Sequence, residues 1–329
     1  MEQISLLDIE GVMVGQASDA TAGTGCSVVL CPSGALGAVD VRGGAPATRE
    51  TDLLRPDKAN QEVHAVVLAG GSAFGLDACS GVARWLEERH FGFDVGVGRV
   101  PIVCGASLFD LAYGSAAVRP DARMGYEACE DAFLASGVAE GNVGAGTGAT
   151  VGKMCGSARA MKSGVGTYGL AAGDLKVAAL VAVNALGCVV DEHGAVLAGA
   201  LAEDGASTLT AEQAEQALIA GQSQMSYAKT EPGPVANTVL ACVVTSAKLT
   251  KDQLTRVCAM THDGFARAIR PAHTSFDGDA AFALATGAVT AQQDVVGMLA
   301  ADMVEHAIRR AVLMAQGGYG LKSVRDLGR

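Results

Sequence analysis

HAVVLAGGSAFGLDACSGVARWLEERH, residues 64–90, reads as a strand, a turn and a helix in succession. His64 to Ala69 is apolar throughout after its first residue and shows no polar alternation, the pattern of a strand covered on both faces. Gly70 to Gly75 (GGSAFG) supplies a tight loop, and from Leu76 to about His90 the apolar residues recur at helical spacing. Cys26 to Leu30, Leu36 to Val41, Val177 to Val183, Cys188 to Asp191 and Thr238 to Thr245 are further short strands too apolar to be covered on one side only. Such strands need helices on both sides, so the expected architecture is a layered α/β protein.

Three helix starts carry a Thr-x-x-Gln box, at Thr210 with Gln213, Thr250 with Gln253 and Thr290 with Gln293. In each, the two side chains can satisfy orphan backbone N–H groups reciprocally. The last helix is expected to run to about Gln316 and to stop at Gly317 and Gly318. Between the helix after Thr210 and the strand at Thr238 lies GQSQMSYAKTEPGPVAN, 221–237, which lacks apolar periodicity and contains Pro232 and Pro234. It predicts an exposed loop.

With 329 residues, 50% of them hydrophobic and 18% charged, the chain has ample material for a core, and no linker divides it. One domain over 1–329 is expected. The net charge of −11, with Lys and Arg scattered singly, argues against a nucleic-acid partner. The most apolar stretch, Val177 to Val190, is too short to span a bilayer, so no membrane association is expected. The opening MEQISLLDIEGV has acidic residues where a secretory signal would be basic, which predicts a cytoplasmic protein.

Nine Cys, without a C-x-x-C pair, read as small core residues. Six scattered His lack ligand spacing, so no metal is expected. The glycine clusters fail as nucleotide loops, and no cofactor is expected. GGSAFG has Ser72 where G-x-G-x-x-G needs its second glycine, and GTGATVGKM (146–154) has Thr147 and Met154 where a phosphate loop needs Gly and Ser or Thr. Ser72 does not complete G-x-S-x-G either.

Three polar features remain, each with a bland alternative. Asp277 and Asp279 flank Gly278, which alone is an ordinary turn. Lys162 lies in AMKSGVG, and alone reads as a surface lysine. Asn184 interrupts an apolar run and must find partners if buried, as a satisfied core amide or a functional one.

Six ordered blocks decide among these readings: VDVRGGAPATRETDLL (39–54), VVLAGGSAFGLDA (66–78), GNVGAGTGATVGK (141–153), ALVAVNALGCVVD (179–191), NTVLACVVT (237–245) and HDGFARAIRPAHTSFDGDAAFALATG (262–287). In them the chain resembles the P1 family of peptidases, the L-aminopeptidase/D-esterase group, which includes the 6-aminohexanoate-oligomer hydrolases. The resemblance implies a four-layer αββα sandwich of the N-terminal-nucleophile type. It implies a precursor that cuts itself between Asn237 and Thr238 into 1–237 and 238–329, freeing Thr238 as the nucleophile.

The same resemblance makes Asp277 and Asp279 the groups that activate and orient Thr238, with Lys162 setting their charge state and Asn184 donating to the oxyanion. Gly71, Ser72, Asn142 and Gly146 would line the substrate cleft. A small peptide or amide is the implied substrate, and a homo-oligomer, a tetramer by expectation, the implied assembly. Thr238 and D-G-D depart from the aminopeptidase branch, which uses Ser and a different acidic pattern, and this sets the chain apart from a strict aminopeptidase. Two other classes compete: an acyltransferase of the ornithine acetyltransferase type, which also self-cleaves before Thr, and a non-catalytic binding protein on the same fold.

Overall fold

The computed structural model describes residues 1–135, 137–221 and 237–328. The loop expected over 221–237 therefore lies outside the described residues from 222 to 236. The elements that position the site are strands β1 (Met13–Asp19), β2 (Thr24–Val41), β3 (Val63–Ala69), β4 (Val103–Ser107), β5 (Val165–Ala172), β6 (Leu175–Asn184), β7 (Thr238–Lys248) and β8 (Ala280–Thr290). The helices are α1 (Ala78–Glu88), α2 (Ala122–Leu134), α3 (Ala211–Ala220), α4 (Lys251–Ala268) and α5 (Gln293–Met314).

The two strands expected at Cys26 and Leu36 are one 18-residue strand, β2, which serves two sheets. Its first part, Thr24 to Leu30, pairs with β1 and β3, and its last part, Leu36 to Val41, pairs with β8. Between them the register against β3 slips, where Cys31-Pro32-Ser33-Gly34-Ala35 bends the chain and Gly34 takes φ +85°. One sheet thus runs β5-β6-β7-β8-β2, and the other places β2 between β1 and β3 and continues to β4.

Side-chain alternation builds four layers from these two sheets. Ala178, Leu180 and Ala182 of β6, Leu240 and Cys242 of β7, and Phe282 and Leu284 of β8 meet Val29, Val66 and Leu68 in the space between the sheets. The intervening Val177, Ala179, Val181, Val239, Val243 and Ala283 pack instead against Val257 and Phe265 of α4 and Met303 and Ile308 of α5. On the far side, Val28, Leu30, Val67 and Ala69 pack against Val82 and Trp85 of α1 and Met124 and Cys129 of α2. Full burial of each large side chain contributes on the order of 2 kcal/mol, so the αββα sandwich is held by both faces of both sheets. No helix of the described residues is long and apolar enough to cross a membrane.

The boxes at Thr210 and Thr250 form as expected, each with both reciprocal hydrogen bonds. The box at Thr290 does not. Thr290 still belongs to β8, paired with Lys248, so the helix starts at Gln293 with Gln292 as an N-cap that makes no side-chain bond. That helix also ends earlier than expected, at Met314, where Ala315 turns extended before the glycines are reached. After Gly70 the chain first makes a 3-10 turn over Ser72–Asp77, so α1 begins at Ala78 rather than Leu76.

Candidate active site

Three strand ends converge at one edge of the inter-sheet space. Asn184, the last residue of β6, pairs in register with Thr238, the first of β7. Both continue the alternation that points Leu180, Ala182, Leu240 and Cys242 between the sheets. The chain entering β8 runs parallel to β7 and brings Asp277, Gly278 and Asp279 beside Asn237 and Thr238. All five of these polar residues other than Gly278 are at most 4% exposed.

The Asn237–Thr238 peptide is gripped closely. The Gly278 N–H donates to the Asn237 carbonyl at 2.7 Å. The Thr238 hydroxyl donates to the same oxygen at 2.5 Å. A Cβ on Gly278 would stand 2.6 Å from Thr238 Oγ1 and 2.8 Å from the Ala45 carbonyl, so only glycine fits between them. The turn itself is pinned by the segment after β2. Arg42 and Gly43 N–H donate to the Asp279 carbonyl, Gly44 N–H to Thr274, and Ala45 N–H to Asp277.

The two carboxylates occupy different settings. Asp279 Oδ1 accepts from the Val239 N–H at 2.7 Å, which fixes the start of β7. Its Oδ2 accepts from the His273 backbone N–H at 3.1 Å and lies 2.8 Å from His273 Nδ1. Asp277 Oδ2 accepts from the Thr274 N–H and hydroxyl, and Oδ1 from the Leu186 N–H at 3.4 Å. Burial, and then the neighbouring Asp279 charge, push the Asp277 carboxyl up to about 6.

Asn184 is fully satisfied on its acceptor side. Its Oδ1 takes the Thr150 N–H at 3.0 Å and Lys153 Nζ at 2.8 Å, while its Nδ2 donates to the Phe109 carbonyl at 2.9 Å. Lys153, held between the Asn184 side chain and backbone carbonyl, was not among the residues singled out in the sequence. Burial lowers its ammonium to about 7 against the pull of Asp277. Lys162 is one step removed. Its Nζ donates to the Thr147 and Ala149 carbonyls, and burial lowers it also to about 7, opposed by Asp110. The lysine coupled most directly to the aspartates is therefore Lys153, and Lys162 stiffens the segment that carries Thr150.

The four expected cleft residues have other partners. Gly71 N–H donates to Asp110 Oδ1 and Ser72 N–H to the Leu108 carbonyl, in a loop where both residues have positive φ. Asn142 exchanges two hydrogen bonds with the Gln316 backbone. Gly146 N–H donates to Val143, and the residue is buried against Val165. None of these bonds reaches Thr238, Asn184 or the aspartates. All nine cysteines are free, with Cys155 alone less than fully buried, and burial pushes thiols such as Cys31 and Cys79 up to about 12, far from thiolate chemistry.

Asp277 gives a pH test that does not depend on activity. Its folded-state value, about 6, lies above the roughly 3.9 of an unfolded aspartate, so its protonated form stabilises the fold below about pH 4. That contribution is lost as pH rises through 6. Asp277→Asn, compared with its parent in a Thr238→Ala background by urea denaturation, should gain relative stability between pH 4 and pH 7, by up to about 3 kcal/mol. A stability difference independent of pH would contradict this.

The model of peptidase family S58 matches residues 5–325. An "uncharacterized aminopeptidase" of Mycobacterium tuberculosis is 42% identical over 98% of this chain and 97% of its own length. The 6-aminohexanoate-oligomer endohydrolase of Paenarthrobacter ureafaciens is 32% identical over 85% of this chain and 74% of its own. In structure the chain is similar to the L-aminopeptidase D-Ala-esterase/amidase of Ochrobactrum anthropi, described as a variant of the Ntn hydrolase fold. The TM-score is 0.68 at 19% identity, covering 97% of this chain and 89% of that one. A Burkholderia sp. beta-aminopeptidase gives a TM-score of 0.67 at 20% identity, covering 98% and 92%.

Proposed function

The chain belongs to peptidase family S58, a hydrolase acting on amide bonds, and on that premise we propose that it cuts itself between Asn237 and Thr238 and then works through Thr238 as an N-terminal nucleophile. The observation that carries the reading is the double grip on the Asn237 carbonyl, with Gly278 N–H at 2.7 Å and the Thr238 hydroxyl at 2.5 Å. The first polarises the carbon, and the second is the group that attacks it.

In the precursor, Thr238 Oγ adds to the Asn237 carbonyl carbon as its proton passes to a neighbouring base. Negative charge develops on the Asn237 oxygen, where the Gly278 N–H already points. Collapse breaks the C–N bond, the Thr238 nitrogen takes a proton, and Asn237 is left esterified to Thr238 Oγ. Water hydrolyses that ester to give the Asn237 carboxylate and a free Thr238. Asp277, near 6, and Lys153, near 7, are the buried groups suited to exchanging that proton at neutral pH.

A threonine hydroxyl is a weak nucleophile without an adjacent base. The cut supplies one, because a free α-amine titrates at roughly 7.7 to 8.0 and is tethered to its own Oγ. In the mature enzyme Thr238 Oγ attacks a substrate amide, the amine takes the proton and passes it to the leaving amine, and water hydrolyses the acyl ester to release the acid and restore the Thr238 hydroxyl. The substrate class this supports is small peptides and amides, in keeping with relatives named for aminopeptidase and 6-aminohexanoate-oligomer hydrolysis. The chain is read as one domain in two pieces, since β7 and β8 lie within a sheet whose other strands precede Thr238.

The test is a panel of amino-acid amides, short peptides and aminohexanoate oligomers, with quenched reactions examined by mass spectrometry. Hydrolysis with a transient acyl adduct on the fragment beginning at Thr238 is expected. An adduct on another residue, or hydrolysis by protein that remains uncut, would overturn the proposal.

A further inference from the structure

His273 and His262 form a chain of hydrogen bonds leading away from Asp279. His273 Nδ1 lies 2.8 Å from Asp279 Oδ2. His273 Nε2 lies 3.1 Å from His262 Nδ1, and His262 Nε2 lies 3.0 Å from the Asp40 carbonyl. All four ring nitrogens are engaged, so turning either ring over would put carbon against a buried polar partner and lose these bonds.

The chain can be counted in protons. The Asp40 carbonyl only accepts, so His262 Nε2 carries a hydrogen. The link between the two rings needs a second hydrogen, and the link from His273 to a carboxylate oxygen needs a third. Two neutral imidazoles supply two. One extra proton is therefore held in the row Asp279–His273–His262.

Its place follows from the surroundings. Asp279 accepts a backbone N–H on each oxygen, from Val239 on Oδ1 and from His273 on Oδ2, so both oxygens already face donors that a carboxyl hydrogen would have to share. His262 is fully buried beside Phe265, and burial lowers its imidazolium to about 4. Arg42, ion-paired with Asp40 at the outer end of the row, adds to that resistance. We infer that His273 is a positioning residue held as an imidazolium, paired with the Asp279 carboxylate and oriented by a neutral His262.

The backbone fits this role, because His273 takes φ +57°, an uncommon conformation for a non-glycine residue, and that conformation lets its N–H and its ring address one carboxylate oxygen. The consequence is electrostatic. Asp277 and Asp279 lie on one turn, and the Asp279 charge opposes ionisation of Asp277. Lys153, from the glycine-rich segment, acts on both aspartates, and Asp40 and Arg42, at the end of β2, act on His262 of α4. With His273 charged, Asp279 holds Val239 and the start of β7 without keeping Asp277 protonated.

This deepens the self-cleavage reading and rests on it for its kinetic arm, but its spectroscopic arm stands alone. In ¹⁵N-histidine-labelled wild-type protein at about pH 7.5, His273 should show both ring nitrogens protonated, while His262 and His64 show one each. The exposed His90, His193 and His306 are assigned by Gln substitution. A His273 with one protonated nitrogen would overturn the inference, whether or not the protein is cut.

In the kinetic arm, His273→Asn keeps an N–H donor where Nδ1 stood and removes the charge. The acidic limb of the self-cleavage rate, followed by intact mass, should then move up by roughly one pH unit. A uniform slowing at every pH would mean that His273 is only structural and would overturn the inference. Should His273→Asn not fold, the wild-type spectrum decides.

Discussion

Thr238→Ala should leave the chain as one uncut polypeptide with no amide hydrolysis. The substitution removes the γ-methyl and the hydroxyl oxygen, the atom that forms the new bond in both proposed reactions. It changes little else. Thr238 pairs with Asn184 through backbone, and its side-chain hydrogen bond goes to the adjacent Asn237 carbonyl. The fold should survive, since the packing of β7 rests on Val239, Leu240 and Cys242. Circular dichroism unchanged from wild type together with loss of both activities is the expected pair of results. Thr238→Ser should restore cutting, because the hydroxyl is kept and only a methyl is lost. Cutting at the same bond in the alanine variant would show that another group attacks.

Gly278→Ala should slow self-cleavage by roughly 10² to 10³, the range found when one oxyanion donor is removed from other hydrolases. The added carbon would meet Thr238 Oγ1 at 2.6 Å and the Ala45 carbonyl at 2.8 Å. Neither neighbour can move freely. Ala45 is tied to the turn by its N–H bond to Asp277, and Thr238 begins a strand paired on both sides. The relief is a shift of the turn that lengthens the Gly278 N–H contact to Asn237. A rate within twofold of wild type, measured by the appearance of the smaller fragment, would show that this contact does not polarise the carbonyl.

The sheets and the polar residues at their ends were legible for a common reason. Strands buried on both faces, such as His64–Ala69 and Val177–Val183, must be uniformly apolar, so an Asn at 184 stands out. The bend of β2 was hidden because Cys31-Pro32-Ser33-Gly34-Ala35 looks like a turn between strands, whereas the chain bends there within one strand and changes sheets. Thr290 has the side chains for a cap, but pairing with Lys248 keeps it in the strand, a tertiary contact that no local pattern carries.

At the site, the roles of Thr238, Asn184 and the two aspartates came from resemblance, and their convergence is a matter of register that spacing could not give. Lys153 was passed over because it sits in GTGATVGKM, weighed as a phosphate loop and quoted for the resemblance with no role given to its lysine. A lysine inside a glycine-rich segment gives no sign of burial. Its significance depends on the Asn184 carbonyl lying 31 positions later in sequence and 3.2 Å away in space. Gly278 was visible only as a turn former, and the closeness of Thr238 Oγ1 is what makes its missing side chain functional.

The central claim is that the Asn237–Thr238 bond is broken by the protein itself and that the cut makes the catalyst. Intact-mass spectrometry of purified wild-type protein, synthesised in a cell-free system without added protease, tests it most directly. Two polypeptides are expected, 1–237 and a second beginning at Thr238, with amide hydrolysis appearing in step with the smaller one. A single full-length mass with hydrolase activity already present, or a break at any other bond, would contradict it.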